Sequence, residues 1–250
     1  MMKRTITLIA LALLALAALT ATTGCTRVKL QDSTRVGTST ETTAIPVGSA
    51  SAIDTELRMG VGELTLSADS SSTSAFAAEC TYAPKQWKPE FASTVESGTL
   101  AITVNQLERI GVPPLRDTRN AWKVVLGGGR PTRLKLRLGV GAATLDLRGL
   151  DLTELDALTG VGETTVDLSG PRNGDLAARI EAGVGSLKVR LPKDVGVRVN
   201  GRQDGLGDYT ADGFRADGNS WVNDAWGGPG PKIEIDLIRG VGDVTLVMVP

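Results

Sequence analysis

The tripeptide Gly-Val-Gly recurs five times in this 250-residue chain, and this repeat constrains the fold more than any other feature. The copies begin at residues 60, 139, 160, 183 and 240, and a related Gly-Leu-Gly begins at residue 205. From residue 139 onward the steps between copies are 21, 23, 22 and 35 residues. A period near 22 residues with one long insertion is typical of an architecture built from stacked repeats.

Strand-like segments flank each copy of the repeat. Apolar and polar residues alternate before the glycines, as in 134–138, and again after them, as in 164–168, which predicts half-buried strands joined by a tight bend. Aligned copies share an apolar position that should face inward, and the residue just before it in each copy, mostly threonine, should face outward. The inward column consists of Leu66, Leu145, Val166, Val189 and Leu246.

These patterns predict an all-β fold, a β-solenoid-like stack of short strands with Gly-Val-Gly bends. The stack is expected to be a right-handed β-solenoid, or a stack of sheets close to one. The bend glycines should adopt positive φ or lie against a neighbouring backbone.

Several segments carry a resemblance to known families. Residues 57–66 and 98–102, with Phe76, Tyr82 and residues 87–90, resemble the N-terminal toast-rack domain. Residues 191–194, 205–208 and 239–246 resemble the β-solenoid of cell-wall-active antibiotic response proteins. The resemblance implies a toast-rack-like region over 53–126 and a solenoid repeat region over 127–250. It also implies a role in envelope-stress signalling as one alternative function.

The first 24 residues have the features of an export signal. A basic start at residues 1–4 precedes an apolar stretch over 5–19, which is shorter than the roughly 20 residues that span a bilayer. The sequence Thr22-Thr23-Gly24-Cys25 resembles the lipobox of bacterial lipoproteins, in which the cysteine is lipidated. That pattern has Leu, Val or Ile where this chain has Thr22, so an ordinary secretory signal ending near a cysteine is the alternative.

The signal predicts a mature chain anchored by lipid at Cys25, in the cell membrane or the outer membrane and on the extracytoplasmic side. A Thr/Ser-rich stalk is predicted over 25–52, because this segment lacks apolar periodicity. With Cys25 lipidated, Cys80 should be a buried apolar thiol. Without lipidation, a Cys25–Cys80 disulfide is the alternative in an exported protein.

Composition excludes several classes of function. The chain has no histidine, which excludes a Ser-His-Asp triad, a Cys-His pair and a His-ligated zinc site. Its 27 basic and 28 acidic residues are nearly balanced, so no nucleic-acid partner is expected. The glycine motifs lead into strands and lack the lysine of a phosphate-binding loop. No cofactor and no metal are expected.

Two groups of side chains are candidate sites. Asp146, Glu163 and Asp167 could form a catalytic pair or a weak cation site, but Arg148 and Arg190 lie close enough in the register to pair with the carboxylates. The second group falls in the 35-residue step and could contact a ligand or partner, or could cap one end of the solenoid. It consists of Tyr209, Phe214, Trp221 and Trp226.

The leading hypothesis is a lipid-anchored cell-envelope protein that presents a rigid β-solenoid as a non-enzymatic binding or assembly module. Its expected partners are the membrane, through Cys25, and an envelope protein or glycan. One alternative is an envelope-stress regulatory lipoprotein that acts on a membrane signalling partner. Another is a carbohydrate-active enzyme that uses the solenoid carboxylates.

Overall fold

The computed structural model describes residues 37–106, 118–127, 129–201 and 205–250, and these form an all-β structure as predicted. Two short 3₁₀ helices, at Lys85–Trp87 and Asp224–Gly227, interrupt the strands. Over the described ranges no helix has the length and apolar character needed to cross a membrane. The predicted signal peptide and Cys25 lie outside the described residues. The strands are β1 (Ser39–Pro46), β2 (Ala52–Asp69), β3 (Ser74–Ala83), β4 (Pro89–Glu96), β5 (Thr99–Gln106), β6 (Arg119–Gly127), β7 (Thr132–Asp146), β8 (Leu152–Val161), β9 (Thr164–Asp167), β10 (Leu176–Val184), β11 (Leu187–Pro192), β12 (Gly196–Gly201), β13 (Tyr209–Asp212), β14 (Arg215–Asp217), β15 (Ser220–Val222), β16 (Lys232–Val241) and β17 (Val244–Val249).

The strands stack in parallel as two sheets that meet at the glycine bends. Sheet 1 holds the strands before each bend, in the order β5, β2, β7, β8, β10, β16, β12. Sheet 2 holds the strands after each bend, in the order β6, β2, β7, β9, β11, β17, β13. The long strands β2 and β7 run through their bends and belong to both sheets. This arrangement confirms the solenoid-like stack.

The core fills the space between the two sheets with inward-facing aliphatic columns. The column predicted from the repeat, from Leu66 to Leu246, is buried throughout, with 0–1% of each side chain exposed. Each such side chain contributes about 1.5–3 kcal/mol by leaving water. Every layer therefore depends on its neighbours above and below for its stability.

The layers do not stack in the order of the sequence. Residues 232–249, at the end of the chain, lie between layer 176–192 and layer 196–212, because β16 pairs with both β10 and β12. The chain thus leaves a gap of one layer after β11 and fills that gap with its last two strands. The insertion in the 35-residue step between residues 205 and 240 also differs from the prediction. Tyr209–Asp212 is the layer strand β13 and not part of the insertion, which consists of residues 213–231.

Antiparallel strands close the end of the stack nearest the N-terminus. In sheet 1, β4 pairs with β5, and in sheet 2, β3 pairs with β6 and β1 pairs with β3. The stalk predicted over 25–52 is therefore wrong for Ser39–Pro46, where threonine-rich sequence favours a strand once β3 offers its backbone groups. The predicted boundary at residues 126 and 127 does not divide the fold, because β2 pairs with both β6 and β7 and the described residues form one compact unit.

Candidate interaction surface

The second glycine of every Gly-Val-Gly copy has positive φ, from +132° to +152°, as the sequence predicts. Backbone hydrogen bonds continue around the bends, as in the bond of 2.8 Å from the amide of Gly162 to the carbonyl oxygen of Val184. A Cβ at Gly162 would overlap the carbonyl oxygen of Gly141 in the layer below. The glycines therefore form a ladder along one edge of the solenoid, in which successive backbones touch.

The residue between the two glycines points outward in each layer, so six aliphatic side chains form a continuous row that we call the valine ridge. Strand pairing places them in register as neighbours. At the strand spacing of about 4.8 Å the row is about 24 Å long. It consists of Val61 (44% exposed), Val140 (48%), Val161 (49%), Val184 (49%), Val241 (49%) and Leu206 (71%).

The valine ridge was not predicted from the sequence, although a signal was present. A Val or Leu stands between the glycines in all six copies, and a residue at the tip of a tight bend has no core to enter. An apolar residue kept exposed in every layer is more informative than a single exposed valine.

The two flanks of the valine ridge differ in charge near the N-terminal layers. On sheet 1, the flank carries Arg58 and Arg137, and on sheet 2 it carries the exposed carboxylates of Glu63 and Glu163. Arg58 and Arg137 each also reach a carboxylate on their own sheet, with 56% and 30% of their side chains exposed. A groove runs along the sheet 1 side and is lined in part by Met59, Leu138 and Leu158.

A buried polar network ends the glycine ladder at its first layer. The amide of Gly60 donates to Gln106 Oε1 at 2.9 Å, and Asn120 Nδ2 donates to the same oxygen at 3.0 Å and to the carbonyl of Val61. Trp122 Nε1 donates to Asn120 Oδ1 at 3.0 Å. Two buried side-chain amides thus form hydrogen bonds with the backbone groups of the first bend, which has no glycine layer beyond it.

The candidate carboxylates are held in ion pairs. Asp146 and Asp167 are partners in adjacent strands of sheet 2, and both point outward, as predicted. Arg148 lies 2.7 Å from Asp146, and Arg190 lies 2.9 Å from Asp167. The hydrogen bond from Arg148 holds the pKa of Asp146 below its ordinary value. Asp167 is less exposed than the alternation suggests, at 13% of its side chain.

Glu163 does not join these carboxylates, because it lies beside the bend rather than on the middle of the sheet. No cluster of three or more potential metal-ligating side chains occurs in the part of the chain that the structure describes.

The four candidate aromatic residues lie at the far end of the stack, around the terminal layer 196–212. Tyr209 and Trp221 are stacked, with ring centroids 6.1 Å apart, and both pack against the core together with Phe214. Trp226 lies beneath two cations, with Arg198 4.7 Å and Lys232 5.7 Å from its ring. All four side chains are half-buried, which favours the capping interpretation. Contact with a ligand or partner stays a prediction.

Cys80 lies on β3 with 0% of its surface exposed, as expected for a buried apolar thiol. Burial, with smaller contributions from Glu41 and Glu79, raises its pKa to about 12. The neutral thiol is therefore the form present at ordinary pH, and a thiol is a poor nucleophile.

Comparison with known proteins identifies relatives of this fold. The crystal structure of a candidate cell adhesion protein from Clostridium sporogenes ATCC 15579 matches with a TM-score of 0.81 and 30% sequence identity, covering 85% of this chain and 100% of that one. A candidate adhesin from Bacteroides fragilis NCTC 9343 matches over 83% of this chain and 97% of that one, but at 10% identity and a TM-score of 0.29, which supports no conclusion. No curated protein matches the sequence significantly.

The family model described as the N-terminal domain of toast_rack, DUF2154, matches residues 33–190. This range includes β1 and crosses the predicted boundary at residue 126, in agreement with the continuous sheets. The match covers more than half of the chain and confirms the resemblance seen in its glycine motifs. The chain belongs to the toast-rack family.

Proposed function

We propose that this protein is a non-enzymatic adhesion module of the cell envelope, held at a membrane by a lipid on Cys25. The observation that carries the proposal is the match to the candidate cell adhesion protein, which extends over 100% of that chain at 30% identity. A shared fold alone says little about function, but identity along the whole length of a relative supports a related role.

The rigidity of the solenoid supports this role. Hydrogen bonds link each layer to the next through both sheets and around the bends, so the described stack has no hinge between its layers. A stiff rod keeps its outer faces in a fixed geometry. Less conformational entropy is therefore lost when such a face binds a partner. Adhesion through such a face would not require a conformational change.

The alternating charges on the outer face of sheet 1 keep that face soluble, and it therefore stays available to a specific partner. Charges alternate in sign along neighbouring layers in one outward column, from Glu56 through Lys135, Asp156 and Arg179 to Asp236. Lys135 lies 3.5 Å from Glu56, and Arg137 pairs with Asp156 from the next column. Exposed pairs of this kind add little stability, but they disfavour nonspecific association of the face.

The state of the carboxylates argues against the carbohydrate-active alternative. A general acid needs a carboxyl whose pKa is raised by burial, whereas Arg148 lowers the pKa of Asp146. Asp167 accepts hydrogen bonds from the amide and hydroxyl of Ser169 and pairs with Arg190. Asp146 is therefore stabilised as an anion, and Asp167 is engaged by Ser169 and Arg190 rather than facing an open cleft.

An adherence assay tests the proposal. Cells that produce the full chain should adhere to a surface coated with purified bacterial cell walls more than cells without it. The Cys25→Ser chain should release protein into the medium and lower adherence to the level of cells without the protein, since two or three acyl chains supply the anchoring. Ser33→Thr, in the predicted stalk, is the matched control and should adhere like wild type. Equal adherence with and without the protein would refute the adhesion role, and a Cys25→Ser chain that stays on the membrane with its leader removed would refute the anchor.

A further inference from the structure

The valine ridge is an exposed apolar surface that no part of the described chain covers. Five valines and one leucine keep 44–71% of their surface in contact with solvent, in six consecutive layers. Contiguous apolar patches on a soluble protein, at roughly 300–600 Å² for the largest, commonly mark interaction sites. A partner of the same length and the same period would match this row in every layer.

A second copy of this chain has that period and length. Two valine ridges placed against each other share the spacing of about 4.8 Å, so their side chains can interdigitate in every layer. Beside the ridge on the sheet 1 side, the partly exposed Leu158 extends the apolar surface against which the other copy's ridge can pack. A bilayer is a poorer occupant, because burying the ridge in it would desolvate Glu63 and Glu163 without a compensating partner.

The charges on the two flanks select one arrangement of the copies. A two-fold axis parallel to the stack brings the sheet 1 flank of one copy against the sheet 2 flank of the other. Arg58 of one copy then faces Glu63 of the other in the same layer, and Arg137 lies one layer from both Glu63 and Glu163, so opposite charges meet on both sides of the contact in these layers. A two-fold axis perpendicular to the stack would place the first layer against the sixth and bring Glu63 of one copy against Asp208 of the other, which costs free energy.

We propose that this chain forms a parallel homodimer through the valine ridge, with each ridge packed beside its counterpart at the same layer. The contact is isologous, so one surface serves both copies. The parallel arrangement also leaves both N-termini at the same end of the pair. The inference rests on the ridge and its flanks, and it does not depend on the proposed adhesion function.

Cysteine crosslinking of the full chain in cells that produce it tests this arrangement. The parallel dimer places Val61 of one copy opposite Val61 of the other, at the end of the ridge, so Val61→Cys should be crosslinked to dimer by a short bismaleimide. The wild-type chain controls for its two native cysteines. Thr144→Cys, exposed on the middle of sheet 2, is the matched control and should remain monomeric.

Two results would overturn the proposal. One is a Val61→Cys chain that is crosslinked no more than wild type or Thr144→Cys. The other is a Val61→Cys chain that is crosslinked only when mixed with Leu206→Cys chains, which would show the antiparallel arrangement.

A second variant tests the contact without crosslinking at its own position. Val161→Lys, in the middle of the ridge, should lower the crosslinked fraction of Val61→Cys chains about tenfold or more, because an unpaired ammonium would be buried in the contact. Thr144→Lys should leave that fraction unchanged. Both substitutions are at exposed positions, so the thermal midpoint should stay near that of wild type and show that the chain is folded. An unchanged crosslinked fraction in Val161→Lys would also overturn the proposal.

Discussion

Replacing one bend glycine by alanine should reveal how strongly the stacked backbones constrain the sequence. Gly162 has φ +139°, in a region that residues with a side chain rarely adopt, which costs about 1–3 kcal/mol. A Cβ there would also overlap the carbonyl oxygen of Gly141. That oxygen belongs to a backbone hydrogen-bonded on both sides, so it cannot move aside, and overpacking adds about 1–3 kcal/mol.

Gly149→Ala is the matched control. Gly149 also has positive φ, at +75°, but no atom lies within 4 Å of the position that its Cβ would occupy. Its substitution should therefore cost only the left-handed backbone term, about 1–2 kcal/mol. The loss of chain entropy in the unfolded state is common to both variants and cancels in the comparison.

The thermal midpoint, followed by far-UV circular dichroism, measures the difference. For a protein of this size, 1 kcal/mol corresponds to roughly 2–4 °C, so Gly162→Ala should lower the midpoint by about 10 °C and Gly149→Ala by about 3–5 °C. Equal decreases in the two variants would show that the layers can separate locally to admit a side chain. That result would refute the idea that backbone contact at the bends requires glycine.

Three further predictions concern side chains inside and outside the core. Asn120→Ala should lower the free energy of unfolding by about 2–4 kcal/mol in urea denaturation, because it leaves several buried polar partners unpaired, whereas Asn219→Ala at an exposed turn should have little effect. Cys80 should be alkylated at pH 8 only in the unfolded protein, as read by mass spectrometry, since burial raises its pKa to about 12; rapid alkylation of the native protein would contradict this. Asp146 has a lowered pKa when folded, so its contribution is present above the ordinary carboxyl value of 3.8 and lost as pH falls further. Asp146→Asn should therefore lose less stability than wild type between pH 4 and pH 2, by under about 1 kcal/mol for this partly exposed pair.

The repeat determined the layers and the direction of their side chains. Alternation around Leu145 and Val166 identifies the inward face, because a strand in a stack exposes every second residue to the core. Glycine at each bend likewise predicted positive φ, since few other residues tolerate it. These are local properties, so a short stretch of the sequence is enough to predict them.

Only the tertiary structure decided the order of the layers. The strand at residues 233–237 has the same alternation as the other layer strands, so nothing in its sequence states that it lies between β10 and β12. Strand pairing in a parallel stack depends on backbone groups that every residue shares. One strand is therefore preferred over another as a neighbour only because its side chains pack better. The strand β1 is a similar case, because its threonines form a strand only once β3 provides a partner.

The surfaces that could act in function also required the structure. The sequence identified Asp146, Asp167 and the aromatic residues as candidates by residue type, but their pairing with arginines and their packing against the last layer depend on which strands are adjacent. The valine ridge is present in the sequence as one letter in each repeat, at Val61, Val140 and their counterparts. It becomes a surface only because stacking aligns six separate bends, and alignment in space is a property that no local pattern carries.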